Sequence, residues 1–213
     1  MSLGLRKEDD VFVVENPYVP LFRVRWRNAT DPAVLRDFQD SMTAVWDKLK
    51  IAALLSSAFA PNLTNAMKTK GNQPPTATID VLITFDRSGV SSHPNHISLF
   101  HGARHFIASL IHNRPGWNCP VDLYTLTSIN IGRKYSSFLD ALISLVVMAF
   151  SNKQMGEHPS PLLFMSGPGE VRAAQKAMTT AHKSQMRWFR WGWIGLSRYM
   201  VVNDLKLEKV PTL

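Results

Sequence analysis

The sequence predicts an α+β fold: one domain in which a mostly antiparallel sheet carries two or three packed helices. Predicted strands and helices follow one another without regular β–α–β alternation, which argues against a parallel sheet. Residues 22–27 and 76–86 alternate apolar with polar side chains, as half-buried strands do. Residues 136–150 form the most apolar stretch, which has the length of a helix too short to cross a bilayer. We therefore expect 136–150 to be the central core helix.

Composition divides the chain into three parts. We predict a flexible N-terminal arm over residues 1–20, the domain over 21–203 and a polar C-terminal tail over 204–213. The formal net charge of +8 favours a phosphate-rich partner, either nucleic acid or an anionic membrane surface. The single cysteine, Cys119, excludes a disulfide within the chain. Because the first residues are charged and form no apolar signal segment, we expect synthesis in a reducing, cytosolic compartment.

Apolar periodicity assigns the remaining elements in chain order. A helix over 30–57 has Pro32 near its first position, which suits a helix start. Ser136 or Ser137 is expected to cap the core helix, since Asp140 follows at the spacing of a capping box. The other predicted elements are a helix over 96–113, a β-prone segment over 121–131, a Pro- and Gly-rich loop over 156–168, a helix over 170–185 and a partly extended aromatic segment over 187–202.

A short segment near the C-terminus concentrates tryptophan and arginine. Residues 187–193 read RWFRWGW and hold three of the six tryptophans. Tryptophan favours membrane–water interfaces, and interleaved arginine adds attraction to anionic headgroups. Two alternatives remain: the rings could stack on the bases of a single strand, or they could belong to the core. The membrane hypothesis assigns these residues to lipid binding: Arg187, Trp188, Phe189, Arg190, Trp191 and Trp193.

Basic residues in the first third of the chain form a second candidate site. Three arginines share the face of strand 22–27 that lies opposite its apolar residues, and two lysines lie at the tip of a loop over 61–75. Such cations are suited to contact phosphates, and the alternative is a solvated surface without a partner. The residues assigned to phosphate or nucleoprotein binding are Arg23, Arg25, Arg27, Lys68 and Lys70.

Three histidines of the predicted helix 96–113 fall in one sector opposite its apolar face. We predict that His101, His105 and His112 sense pH, because histidine changes charge near pH 6–7. The alternative is an ordinary solvated face. His101 and His105 have the spacing of paired metal ligands, but they lack the Glu of an H-E-x-x-H motif, and Cys119 stands alone. We therefore predict no metal site and no cofactor.

An enzymatic interpretation has one weak signal in the sequence. His96-Ile97-Ser98-Leu99 has the His-apolar-Ser-apolar form of the two-histidine phosphoesterases, which need a second copy of the motif. The segments that begin at His158 and His182 have His-x-Ser but lack the apolar positions. No Walker loop, nucleophile elbow or acidic metal cluster is found in the sequence. We therefore predict no catalytic residue and no enzymatic activity, with the phosphoesterase as the third alternative.

The order of elements over residues 76–132, a strand, loop, helix and strand, resembles the early unit of rhabdovirus matrix proteins. Tyr18-Val19-Pro20-Leu21 fits the Y-x-x-L form of short budding motifs, in which Tyr18 and Leu21 are the fixed positions. The P-P-x-Y element common in the animal-virus members is missing. The alternative to a matrix-like function, ahead of the phosphoesterase, is an RNA-binding capsid or regulatory protein.

The resemblance implies a viral matrix-like structural protein. Such a protein self-associates beneath an envelope and bridges an anionic membrane and a viral ribonucleoprotein or RNA during assembly and budding. It would therefore be located in the virion, the host cytoplasm and the membrane face. Its expected partners are that membrane surface, the ribonucleoprotein, further copies of itself and the host budding machinery.

Overall fold

A four-stranded mixed sheet organises the chain. The computed structural model describes residues 45–63, 74–114, 116–151, 153–154, 158–181 and 186–210. Within these ranges the strands are β1 (Val81–Phe85), β2 (Asp122–Leu126), β3 (Leu162–Met165) and β4 (Val202–Leu207), in the spatial order β1-β2-β4-β3. β1 and β2 run parallel, whereas β4 is antiparallel to both β2 and β3. Two of the three pairings are therefore antiparallel, and the predicted α+β class is confirmed.

Helices join and cover these strands. They are α1 (Lys48–Phe59), α2 (Gly89–Ser92), α3 (Pro94–Ile111), α4 (Ile131–Lys134), α5 (Leu139–Phe150), α6 (Pro168–Ala181) and α7 (Trp188–Leu196), followed by a 3₁₀ turn at Arg198–Met200. α2 is a single irregular turn, because Val90 and Ser91 have non-helical dihedral angles. α3 connects β1 to β2, so this part of the chain is a parallel β–α–β unit that the apparent lack of alternation concealed.

The main core lies between α3, α1 and the parallel strands. α3 packs against both α1 and β1, and its Phe106 and Leu110 are fully buried beside Leu123 of β2. Burying each such side chain contributes about 1.5–3 kcal/mol. α1 approaches α3 closely at Gly102, where an added Cβ would lie 2.4 Å from Cγ2 of Ile51. This core fixes the direction of β1 and β2 and therefore the position of the loops that follow them.

The expectation that 136–150 is the central core helix is wrong. The helix forms as α5, but most of its large apolar side chains are exposed, Phe150 at 87 %. Its buried residues are Asp140, Ala141 and Ser144. The predicted cap is also wrong, because the N-cap position is Phe138, and Asp140 pairs with arginines instead. α5 thus buries its polar face, since that face meets the buried guanidinium group of Arg198 and the partly buried one of Arg133.

Several boundaries differ from the sequence prediction. Within the described residues α1 begins at Lys48, where Asp47 accepts a hydrogen bond from the Leu49 N–H, so residues 45–47 precede the helix. The aromatic segment 187–202 is mostly helical, because α7 and the 3₁₀ turn occupy it, and it reaches a strand only at its last residue, Val202 of β4. β4 continues to Leu207, past residue 203. The predicted arm over 1–20 and the strand at 22–27 lie outside the described residues.

Candidate functional site

Because β1 and β2 are parallel, their carboxyl ends lie at the same edge of the sheet, and the loops that follow them contact each other there. In open sheets, ligands bind in the crevice outside the carboxyl ends of parallel strands. Asp86 follows β1 directly, and Ser128 lies two residues beyond β2. The turn from Gly89 to His93 then leads into the start of α3. This edge is the candidate functional site.

Asp86 holds the two loops together. Its Oδ1 accepts hydrogen bonds from the Ser88 N–H (3.0 Å), the Gly89 N–H (3.1 Å) and the Ser128 hydroxyl (2.6 Å). Its Oδ2 accepts from the Ser128 N–H (2.7 Å). The Ser128 hydroxyl oxygen in turn accepts from the Val90 N–H (2.8 Å). With four donors around its carboxylate, Asp86 acts as an organiser of the site.

The turn between β1 and α3 is conformationally strained. Gly89, Val90 and Ser92 have φ angles of 60°, 63° and 58°. For a β-branched residue such as Val90 this is a rare conformation, and each non-glycine case costs about 1–3 kcal/mol. Strained turns of this kind persist where surrounding bonds fix them, and they cluster at functional sites. Here the Asp86 and Ser128 hydrogen bonds hold the turn.

Two histidines flank the start of α3. His93 is the N-cap residue, and its Nδ1 accepts a hydrogen bond from the Asn95 N–H (3.3 Å). His96 contacts the Gly89 carbonyl oxygen through its Nδ1 (3.0 Å) and stacks on Phe85, with ring centroids 3.8 Å apart. The centroids of the two imidazoles are 4.8 Å apart. Helix capping and ring stacking thus fix the pair at the mouth of the site.

The hydrogen bonds select opposite tautomers for the two rings. A carbonyl oxygen only accepts, so the proton of neutral His96 is on Nδ1 and its Nε2 is basic. The Nδ1 of His93 accepts from a backbone N–H, so neutral His93 carries its proton on Nε2. One ring therefore offers a proton acceptor at Nε2 and the other a donor.

A buried lysine contacts the same turn. Lys134 at the end of α4 donates a hydrogen bond from its amine to the Ser91 hydroxyl. Burial lowers the pKa of Lys134 because an ammonium group loses hydration inside the protein. Asn130 caps α4 by accepting from the Arg133 N–H (3.0 Å), which orients that short helix.

An ion-pair network beneath α4 and α5 supports Lys134. Asp140 is fully buried and contacts Arg133 at 2.6 Å and Arg198 at 2.5 Å. Arg198, also fully buried, contacts Asp204 of β4 at 2.6 Å and donates to the Ser144 hydroxyl at 2.7 Å. These bonds tie α4 and α5 to β4. They are structural, because Asp140 and Arg198 at their centre are fully buried, whereas Arg133 and Asp204 are partly exposed.

This arrangement suits the hydrolysis of a carbonyl compound. It offers a basic imidazole nitrogen at His96, an imidazole N–H at His93 and an ammonium group at Lys134. Within the described ranges, no cluster of three or more His, Cys, Asp or Glu residues has the arrangement to hold a metal ion. In those same ranges no helix is long and apolar enough to cross a membrane.

The residues predicted from sequence lie elsewhere. His101 is exposed on α3, whereas His105 and His112 are half-buried. Although the His101 side chain is exposed, partial desolvation by the residues around it, followed by the charges of Lys48 and Arg104, lowers its pKa. The pH-sensing role of these three histidines stays a prediction. Of the lipid-binding set, Trp188, Phe189 and Trp191 are strongly exposed on α7, Arg187 is exposed just before it, and Arg190 and Trp193 are half-buried.

Other predicted sites fall outside the described residues. These are the phosphate-binding set and the budding motif: Tyr18, Leu21, Arg23, Arg25, Arg27, Lys68 and Lys70. His182 of the phosphoesterase alternative is also outside them. His158, the other histidine considered for a second phosphoesterase motif, contacts Asp122 at the amino end of β2. That is the end of the strand away from His96.

The sequence interpretation passed over Asp86, His93, Ser128 and Lys134. A readable signal existed for the histidines: His93-Pro94-Asn95-His96 places two imidazoles three residues apart at a helix start that closely follows a strand. Asp86 offered a weaker signal, an acidic residue directly after a strand. Ser128 and Lys134 offered none, because their roles depend on partners about forty residues away, at separations of 42 and 43.

Comparison with known proteins identifies relatives along almost the whole chain. It is 44 % identical, over 99 % of its length, to an N-acetylglucosaminyl-phosphatidylinositol de-N-acetylase from Arthroderma benhamiae. It is 32 % identical to a probable enzyme of the same name from Schizosaccharomyces pombe over 96 % of the chain, and to the Bos taurus enzyme over 80 %. The chain spans 64 %, 69 % and 54 % of these three proteins. No protein-family model and no solved structure matches it.

These relatives correct the viral interpretation. They are named as enzymes and come from fungi and cattle, so the predicted viral matrix protein, its resemblance to rhabdovirus proteins and its location in a virion are wrong. The prediction of no enzymatic activity is also wrong, as are the ribonucleoprotein and budding partners and the capsid and phosphoesterase alternatives. The resemblance rested on the order of common elements, which unrelated folds share. The chain belongs to the N-acetylglucosaminyl-phosphatidylinositol de-N-acetylase family.

Proposed function

We propose that this chain removes the acetyl group from N-acetylglucosaminyl-phosphatidylinositol, the lipid-linked sugar in the name of its relatives. The observation that carries the proposal is the imidazole pair of His93 and His96 at the carboxyl ends of the parallel strands. The reaction is amide hydrolysis: water adds to the acetyl carbonyl, the C–N bond breaks, and acetic acid and the amine form, which at neutral pH are acetate and the protonated amine.

His96 is the proposed general base. Its Nε2 takes a proton from the attacking water and returns it to the leaving nitrogen, so protons balance over the cycle. The hydrogen bond between its Nδ1 and the Gly89 carbonyl, together with stacking on Phe85, keeps that nitrogen in position.

His93 and Lys134 are the proposed groups that stabilise the negative oxygen formed when water adds. The Nε2–H of His93 donates to it, and the ammonium group of Lys134 balances its charge in a site of low dielectric. Asp86 does not act on the substrate in this scheme, because its oxygens already accept four hydrogen bonds.

The test is acetate release from vesicles that contain N-acetylglucosaminyl-phosphatidylinositol. The purified chain should release acetate and free amine in equal amounts, and His96→Ala should lower kcat by about a hundredfold or more. The matched control is His101→Ala, which removes an exposed imidazole from the same helix and should leave the rate unchanged. The absence of acetate release by the unmodified chain, or equal rates for the two variants, would contradict the proposal.

A further inference from the structure

Two helices expose an apolar surface next to the candidate site. On α5 the exposed side chains include Leu142, Val146 and Phe150, and on α7 they include Trp188 and Trp191. The Ser137 N–H, just before α5, donates to the carbonyl oxygen of Leu196 at the end of α7 (3.1 Å), so the helices meet there. We name this the α5–α7 surface. Monomeric soluble proteins seldom expose a large contiguous apolar patch, and such a patch marks an interaction site.

The chemistry of the surface favours a lipid bilayer. Trp188 is 87 % exposed and follows the exposed Arg187 directly. Exposed tryptophan beside arginine is typical of the boundary between acyl chains and anionic headgroups. α6 contacts α7 through a hydrogen bond from the Gln175 side chain to the Ile194 carbonyl, and it adds the exposed cations of Arg172 and Lys176. A second copy of the chain would bring these like charges together, so a bilayer is the better occupant.

The α5–α7 surface is continuous with the proposed site. α4 carries Lys134 into the site and exposes Ile131, and the residues that join α4 to α5 expose Tyr135 and Phe138. Exposed apolar side chains thus continue along the chain from α4, which carries Lys134, into α5. α5 has 12 residues and buries its polar side in the protein, so it suits a helix that lies in the plane of the interface.

We propose that the α5–α7 surface docks this chain onto the face of a bilayer that contains phosphatidylinositol. The choice of lipid rests on the proposed function, because the headgroup to be deacetylated is carried by phosphatidylinositol. Docked in this way, the chain reaches the sugar while the acyl chains stay in the membrane. The lipid then need not be extracted into water, which would expose its acyl chains.

Vesicle flotation without substrate tests the docking separately from catalysis. The full chain should float with vesicles of phosphatidylcholine and phosphatidylinositol. L142E/V146E, which places two charges on the α5–α7 surface, should lower the partition coefficient by about tenfold or more. The matched control V45E/L49E changes one Val and one Leu to Glu at exposed positions, one just before α1 and one in its first turn, and it should float like the unmodified chain.

A second pair of variants covers the case in which L142E/V146E does not fold. W188S/W191S removes two exposed rings from α7 and should also weaken flotation, whereas Trp117→Ser removes an exposed ring from the α3–β2 loop and should not. Equal flotation of surface and control variants would overturn the proposal. A second result would also overturn it: the unmodified chain fails to float and forms a concentration-dependent dimer, and L142E/V146E is monomeric. A second copy of the chain would then cover the surface.

Activity measurements distinguish this proposal from the proposed function. A chain that floats but releases no acetate would contradict the function and leave the docking intact. With both intact, L142E/V146E should lose acetate release from vesicles but keep it on a water-soluble N-acetylglucosaminyl-inositol phosphate without acyl chains. Equal loss on both substrates would contradict the assignment of the surface to docking.

Discussion

Two parts of the molecule treat polar and apolar side chains in opposite ways. The turn from Asp86 to His96 is polar in sequence, yet its carboxylate and backbone groups are bonded inside the protein and its conformation is strained. α5 is the most apolar of the helices in the described part of the chain, yet it buries Asp140 and Ser144 and exposes its aliphatic side chains. The comparison shows that the apolar content of a helix does not by itself tell which of its side chains are buried in the folded chain. Polar residues can be the more tightly fixed ones.

The strongest test of this contrast removes the buried cation beneath α5. Arg198→Ala would leave Asp140 buried beside a single arginine and Asp204 without that partner, so the free energy of unfolding should fall by about 3–5 kcal/mol. Chemical denaturation measures this loss. Arg187→Ala, at an exposed position, is the control and should change stability by less than about 0.5 kcal/mol. A loss below about 1 kcal/mol for Arg198→Ala would show that the polar face of α5 does not hold the helix.

A smaller loss is expected when the organiser of the turn is changed. Asp86→Asn replaces one acceptor oxygen with an amide that faces hydrogen-bond donors, so the free energy of unfolding should fall by about 1–3 kcal/mol. Acetate release should fall as well, because the Ser128 contact that holds the turn is weakened. Asp80→Asn at the opposite end of β1 is the matched control, since Asp80 is exposed. If both variants behave alike, the turn is not organised by Asp86.

Glycine replacements compare the strained turn with an exposed position on α7. An added Cβ at Gly89 would lie 2.9 Å from Cγ1 of Ile97 and 3.1 Å from Cβ of His96, at a φ of +60°. We expect Gly89→Ala to lower the free energy of unfolding by about 1–2 kcal/mol. Gly192 on α7 has no atom within 4 Å of such a Cβ among the described residues, so Gly192→Ala should raise it by about 0.5–1 kcal/mol. Thermal unfolding of both variants decides, and opposite signs are the expected result.

Part of the fold could be predicted because its signals are local. Apolar periodicity placed α3 within two residues of each end, and alternation placed β1 inside the predicted strand 76–86. The parallel pairing of β1 and β2 was missed, although α3 joins the two strands and packs against both, because the predicted elements of the rest of the chain show no regular β–α–β alternation. The prediction that α5 is the core helix failed because its buried face is set by distant contacts. Ser144, for example, bonds to Arg198, a residue 54 positions away.

The candidate site was less predictable than the fold. In the sequence, His96 was singled out because Ile-Ser-Leu follows it, as in the phosphoesterase motif. In the structure its partner is instead His93, three residues earlier. The exposure of Trp188 and Trp191 agrees with a surface role, although the segment is helical where extended structure was expected. What sequence lacked was a reason to connect Lys134 with Ser91, because contacts between loops of different strands leave no periodic pattern.

The smallest expected effect concerns the pH dependence of Lys134. Burial lowers its pKa in the folded protein, so between the folded and unfolded pKa values the unfolded chain binds more protons than the native one. Stability should therefore rise as the pH increases through the folded pKa and stop rising at the unfolded value. Tyr199 acts oppositely at alkaline pH, because burial raises its pKa to about 12. Lys134→Met isolates the contribution of the lysine. Denaturation at several alkaline pH values should show the unmodified chain gaining free energy of unfolding relative to this variant as the pH rises. A difference that does not vary with pH would mean that the Lys134 ammonium group is as well solvated as an exposed one.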